Sequence, residues 1–323
     1  ANVVGRGMTP SGDAAETVSI AEGLATWQSP VDRGSAPYTA PRYYSTFGGT
    51  MDTSAAFVEK LIAAPGQTLD LLPGGRARAE KLTTLDVGEG ATRKTITCWA
   101  LTGIGSAPLP VWTDEQGRFF GLNLGLAWLP AGYESALKPT EKAQSDALAA
   151  AVAKLSRSLS RTPAGPVAFT NVRLYDADAL RFVADQTVVV DKGTIVAVGP
   201  ADTTAVPAGA ERIDGRGKTL LPGLWDAHMH VGGDYTGFQE LSMGVTSVRD
   251  PGNSDTATQS RAERRAKGDL LFPEVYPSSL IDGKGTYSAQ VANVATSEAE
   301  AVELVRQAQA KGFRGVKFYG TFD

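Results

Sequence analysis

Residues 220–233 read LLPGLWDAHMHVGG, and this stretch decides how the rest of the chain is read. An apolar run leads into Asp226, His228 and His230, and two glycines follow. The 323-residue chain has 2 histidines, and both lie here. Side chains alternate along a strand, so residues two apart share a side. If LWDAHMH is a strand, His228 and His230 face together while Met229 packs the other way. Two imidazoles side by side at a strand's C-terminal end form a metal-binding pair. In parallel barrels that end is where chemistry is placed. Gly232 and Gly233 would let backbone come close to a bound group.

Downstream of this stretch the sequence alternates between strand and helix patterns. Short helices are predicted at 237–242 and 257–267, with strands at 245–250, 274–281 and 315–320. Ser297 to Lys311 predicts a helix in which Ser297 and Glu300 form a capping box. Its apolar residues Ala301, Leu304, Val305 and Ala308 recur at helical spacing, and Gly312 closes it. Repeated β-α units imply a parallel sheet with helices packed outside it.

Upstream, AFTNVRLYDADALRFVADQTVVVDKGTIVAVG predicts three short antiparallel strands, and AERIDGRGKTLLPG adds a strand and a turn. RTPAGP at 161–166 reads as a linker, because its prolines and glycine cannot continue the Ala-rich helix predicted over 138–159. A shorter helix is expected at 52–64, strands over 68–129 with a hairpin at Asp114–Gly117, and irregular chain over the first 45 or so residues.

Hydrophobic residues make up 42% and charged residues 20%, an ordinary globular balance, with a net charge of −4. No basic stripe points to nucleic acid, and RAERRAK at 261–267 reads as the solvated face of a helix. No run approaches the ~18 apolar residues of a membrane span. Cys98 is the sole cysteine and has no internal partner. A first residue of Ala1 reads as processing or trimming, a removed secretory signal being one route. It leaves periplasmic, secreted and cytoplasmic locations open, and the sequence leaves homo-oligomerisation open too.

The pattern Asp214-Gly215-x-Gly217-x-x-Leu220-x-Pro222-Gly223-x-x-Asp226-x-His228-x-His230 resembles the amidohydrolase superfamily of metal-dependent hydrolases. Within it, the likeness is to the imidazolonepropionase-like and prolidase-type, dipeptidase-like branch. The resemblance covers about residues 167–323. It implies an α/β chain in which 224–323 is the first half of a (β/α)8 TIM-type barrel, an incomplete barrel of four strands. Residues 167–223 would be the small β-sandwich segment that precedes it, and 1–163 an N-terminal α+β domain of unknown role. It also implies hydrolysis of an amide, peptide or cyclic amide C–N bond by a metal-activated hydroxide.

Lys317, in the short apolar strand GVKFYG, is the second constellation. An unpaired ammonium inside a barrel is costly and must be paired, neutralised or chemically changed. The resemblance implies that Lys317 is carboxylated by CO2 to a carbamate bridging two divalent metals, zinc by the chemistry of the donors. A lysine snorkelling to its strand end is the plainer reading. Asp226 is a candidate to orient one histidine or a turn-region carboxylate, and Asp250, at the end of the second strand, a candidate catalytic carboxylate or a turn residue. Tyr287 and Tyr319 are candidate substrate contacts, each with a packing or loop role as the alternative.

The family's site also draws ligands from the fifth, sixth and eighth strands. About 100 residues follow Leu224, whereas an eight-stranded barrel takes ~250. The chain is therefore expected to be part of a longer protein, with the missing half in the same or another chain, and not to hold a binuclear site or act alone. A rival reading is a non-catalytic binding protein on a degenerate scaffold. In it, the N-terminal domain, with Trp99, Trp112, Phe119, Phe120 and Trp128, holds an apolar ligand or partner.

Overall fold

The structure is a computed structural model and describes residues 2–5, 8–9, 12–13, 15–46, 51–124 and 126–321. The chain has a mixed α/β fold in two compact units, residues 1–151 and 152–323.

In the first unit, Asn2–Gly5, Glu16–Ala21, Leu24–Gln28 and Arg33–Pro37 form a four-stranded antiparallel sheet. This corrects the irregular chain expected there. The hairpin turns on Glu22 and Gly23, both at positive φ. Glu-Gly is not among the dipeptides that announce such a turn, so the sequence carries no clear signal.

A seven-stranded sheet follows, in the order 127–128, 119–123, 109–113, 94–102, 76–87, 68–72, 43–44. Helix α1 (Met51–Ala63) lies on one face, where Val58 and Leu61 pack with Ala77, Leu101 and Val111. Cys98, Trp112 and Phe120 form a separate cluster with Tyr133 and Ala136. Helix α2 (Leu137–Leu159) supplies Gln144, whose Oε1 accepts from the Trp112 indole N–H at 3.2 Å. The aromatic residues singled out in the sequence therefore do not line one site. Trp112 and Phe120 are core, Trp99 and Phe119 pack with the α1 cluster, and Trp128 is exposed.

In the second unit, Val167–Asp176, Arg181–Asp191 and Thr194–Pro200 pair antiparallel. Glu211–Asp214 and Thr219–Leu220 then add to the first of these in parallel, giving one five-stranded sheet. The turn from Asp214 to Thr219 explains half of the motif. Gly217 takes φ +73°, and the Asp214 carboxylate caps the Arg216 N–H at 3.2 Å.

The β-α alternation then appears as expected. Leu224–Asp226, Val245–Asn253 and Glu274–Gly283 are parallel neighbours. Gly315–Phe318 pairs with the near part of the third strand. Asn293–Ala295, a strand the sequence did not signal, pairs with the far end of the same strand. Helices α3 (Tyr235–Ser242), α4 (Asp255–Ala266) and α5 (Glu298–Ala310) separate them. Ser297 caps α5 as expected, its Oγ accepting the Glu300 N–H at 3.3 Å. The return bond differs from a capping box, because Glu300 accepts from Thr296 N–H and Oγ1. Val152, Val231, Val248, Leu270 and Phe272 are the buried core of this part.

Candidate functional site at the strand ends

The first parallel strand stops at Asp226, so neither histidine lies in it. This corrects the strand expected to run through His230. The Asp226 side chain ends it by accepting the His228 N–H at 2.9 Å, a turn that competes with the ladder. Asp226 thus holds the backbone of His228 rather than an imidazole. One ladder-like bond survives, from Met229 N–H to the Arg249 carbonyl at 3.1 Å. Met229 packs against the Val248–Phe272 core. Both histidines are exposed, and their ring centroids lie 5.5 Å apart at an interplanar angle of 78°. The alternation argument gave the right outcome although the strand had ended.

Nδ1 of His230 lies 2.9 Å from the Gly252 carbonyl oxygen. A carbonyl only accepts, so this contact calls for the proton on Nδ1. Asp250 is 2% exposed, and its carboxylate turns inward. Oδ1 accepts the Gly252 N–H at 3.2 Å. Oδ2 accepts the Val231 N–H at 3.3 Å and Asn253 Nδ2 at 3.2 Å. Asn253, which the sequence reading passed over, also donates to the Val231 carbonyl at 2.7 Å.

Lys317 stands opposite Leu280 in the parallel register. It is half-buried, with no carboxylate partner among the described residues, and its Nζ lies 5.3 Å from the centroid of the Tyr319 ring. That is a cation–π distance. Tyr319 is half exposed, and Tyr287 is 89% exposed on its loop. The structure therefore brings His228 and His230 together beside Asp250, and Lys317 against Tyr319. Among the described residues no three His, Cys, Asp or Glu side chains group to hold a metal. The two imidazoles fit the neutral nitrogen donors of a divalent ion, as a pair and not as a full ligand set.

Two further features were not legible in the sequence. Asp282, at the end of the third strand, has 0% exposure. Burial pushes its carboxyl up, but N–H groups of Ala289, Thr321 and Gly283 and the Thr321 hydroxyl outweigh that and hold it below the usual carboxylate range. Asp282 so ties the chain just beyond Lys317 and the loop carrying Tyr287 to one strand end. Its only sequence signal is an aspartate closing the apolar run SSLID. RAERRAK is likewise not a wholly solvated face. Arg264 grips Asp234 through both Nη atoms at 2.5 and 2.7 Å, and Arg261 Nε lies 3.5 Å from the same carboxylate.

No family model matches the chain. An imidazolonepropionase of Cupriavidus necator is 30% identical over 176 residues, 51% of this chain and 42% of that protein. One of Saccharopolyspora erythraea is 43% identical over 142 residues, 40% of this chain and 36% of its own length. An enamidase of Eubacterium barkeri is 40% identical over 63 residues, 19% of this chain and 16% of the enamidase. The chain spans from a tenth to about two fifths of the length of such curated relatives. Solved structures include a bottromycin amidohydrolase, 23% identical over 54% of this chain and 36% of that one, with a TM-score of 0.42. A Xaa-Pro dipeptidase is 20% identical over 47% of this chain and 46% of that one, with a TM-score of 0.41. The chain resembles the amidohydrolase superfamily, as the histidine motif implies.

Proposed function

We propose that the chain is the first half of a metal-dependent hydrolase of amidohydrolase type, cleaving an amide, peptide or cyclic amide C–N bond. The observation that carries this reading is the imidazole pair just past the end of a parallel strand, with Nδ1 of His230 against the Gly252 carbonyl, in a chain similar to imidazolonepropionases. The parallel strands alternating with α3, α4 and α5 are, on this reading, the opening four strands of a (β/α)8 barrel, and the 167–220 sheet is one layer of the accessory sandwich. The remaining ligands come from a second half in the same or another chain.

His228 and His230 would hold one divalent metal, zinc by donor chemistry, and Lys317, after its amine takes up CO2 and loses a proton, would bridge to a second. Bound there, such metals acidify water toward neutral pH and polarise a carbonyl. The chain's own residues do the positioning. Asp226 sets the turn that turns His228 outward. Met229 fixes the side on which both rings stand. Asp282 anchors the segment after Lys317, and Tyr319 covers the Lys317 head group with its ring face. Tyr287, exposed on its loop, would meet a small amide or peptide substrate.

The test is intact-mass and metal analysis of the protein from its native source, followed by amide hydrolysis assays on Lys317→Met. A mass above that of these 323 residues, about two zinc per molecule and loss of turnover in the variant are expected. A mass equal to this chain with no stoichiometric metal overturns the reading, and unchanged turnover removes Lys317 from the site.

A second reading rests on a cavity of about 260 Å³ in the first unit, walled by Phe57, Val58, Leu101, Ile104, Leu109 and Phe119 among others. It would make that unit a binder of a small apolar ligand. Of the five aromatic residues named from the sequence, only Phe119 lines it. Quenching of an apolar dye by Val58→Trp would support it, and failure of the dye to bind would remove it.

A further inference from the structure

Asp250 is a carboxylate buried to 2% exposure with no hydrogen bond from lysine or arginine among the described residues. Such a group is costly unless its oxygens are satisfied. Here three N–H donors satisfy it, and they come from two separate segments. Val231 directly follows His230, whereas Gly252 and Asn253 lie in the irregular end of the second strand, where the register shifts between Asp250 and Asn253. Asn253 closes the ring by bonding both the Asp250 carboxylate and the Val231 carbonyl. The carboxylate holds the Gly252 N–H, and the Gly252 carbonyl meets His230 Nδ1 at 2.9 Å. Asp250 Oδ1 itself stands 3.6 Å from the same nitrogen. Both neighbours of Nδ1 are acceptors, so both favour the proton there. The His228 ring, by contrast, makes no hydrogen bond among the described residues. The two imidazoles are alike in sequence and unlike in structure.

We propose that Asp250, acting with Asn253, is a positioning residue that locks His230 as the Nδ1–H tautomer with Nε2 presented before any ligand arrives. His230 is then the pre-set donor and His228 the donor that orders on binding. This deepens the metal-site reading above and rests on it for the identity of the ligand, but the tautomer lock can be observed without metal. It replaces the role of catalytic carboxylate considered for Asp250 from the sequence, since the carboxylate is buried and turned to backbone and amide donors.

Two histidines make the experiment direct. Histidine-selective 15N labelling of the full chain gives four ring-nitrogen resonances, assigned with His228→Gln. They are read at alkaline pH, with a pH series on the same sample showing that neither ring is still titrating. For His230 the expected pattern is a protonated Nδ1 and a bare Nε2, while His228 averages over both tautomers. In Asp250→Asn an amide N–H faces the backbone donors, and His230 should move to an averaged pattern like that of His228. Asn253→Ala, which keeps the carboxylate, should move it part of the way and serves if the first variant does not fold. Titration with zinc alone should shift His230 Nε2 before His228, with about tenfold weaker binding in Asp250→Asn. A wild-type His230 that averages like His228, or a variant that keeps the single tautomer, overturns the proposal. If zinc moves none of the four resonances while the asymmetry stands, the pair does not hold metal without the second half, and the positioning of His230 survives.

Discussion

Replacing Gly223 with alanine tests why the motif needs a glycine three residues before Asp226. Gly223 is not at a positive φ, so the constraint is space. A Cβ there would lie 1.8 Å from Thr246 Oγ1, 2.5 Å from its Cγ2 and 2.7 Å from its Cβ. Rotating Thr246 about χ1 can move the first two atoms but not the third. The backbone must therefore give by about 0.3 Å to bring 2.7 Å up to the 3.0 Å below which Cβ contacts are essentially never seen. That movement pulls on the Leu224 N–H bond to the Gly244 carbonyl at 2.9 Å, which seats the strand leading to the histidines. Overpacking of this kind costs about 1–3 kcal/mol, and rigid atoms on both sides place it near 3 kcal/mol. At 1.4 kcal/mol per tenfold, amides of Leu224 and Met229 should exchange with solvent roughly 150-fold faster. Thr246→Gly removes all three clashing atoms at a cost of about 1 kcal/mol for glycine in a strand. The double variant should then lie about 1 kcal/mol below wild type rather than 4, a coupling near the top of the range for residues in contact. Hydrogen exchange read by mass spectrometry on peptides covering 221–253 measures all four proteins. If Gly223→Ala costs less than about 1 kcal/mol, or if the two changes simply add, the packing explanation is wrong.

Three further outcomes are expected. The Asp282 carboxyl sits below its unfolded value, so its contribution is complete above about pH 4 and is lost as pH falls through the depressed folded value. Acid should release Thr321 and the 283–289 loop in that window, and Asp282→Asn should flatten the pH dependence of their exchange; identical profiles in the two proteins would count against the anchor. Cys98 is fully buried, and burial pushes its thiol up to about 12. At pH 8 about one part in ten thousand is thiolate, so a disulfide reagent should label it only after unfolding, and rapid labelling of folded protein would contradict its placement. Asp234→Ala strips the shared partner from Arg261 and Arg264, whose side chains are 16% and 26% exposed. A loss of about 2 kcal/mol at α3 and α4 is expected from urea-dependent exchange, and no loss would show that the two guanidiniums do not depend on it.

Much of the second unit was legible from neighbouring residues. Ser297 announced α5, Pro and Gly at 161–166 ended α2, and the His-Met-His spacing placed both imidazoles opposite the core. These features depend on residues within about four positions of one another, a range over which backbone geometry repeats. The 16–37 sheet was missed because its turn opens on Glu22, a residue that does not favour the positive φ it takes up there. What Asp282 and Arg264 do was not legible at all, and of Asp250 only the turn role was, its Oδ1 accepting the Gly252 N–H. Each carboxylate or guanidinium reads as polar surface until its partners are known, and those partners lie 19, 39 and 30 residues away, at Val231, Thr321 and Asp234. The histidine pair was written in the sequence. Which histidine is held, and by which carboxylate, is decided only where chain folding brings Gly252 and Asp250 against it, because a hydrogen bond reaches about 3 Å in space and is blind to separation along the chain.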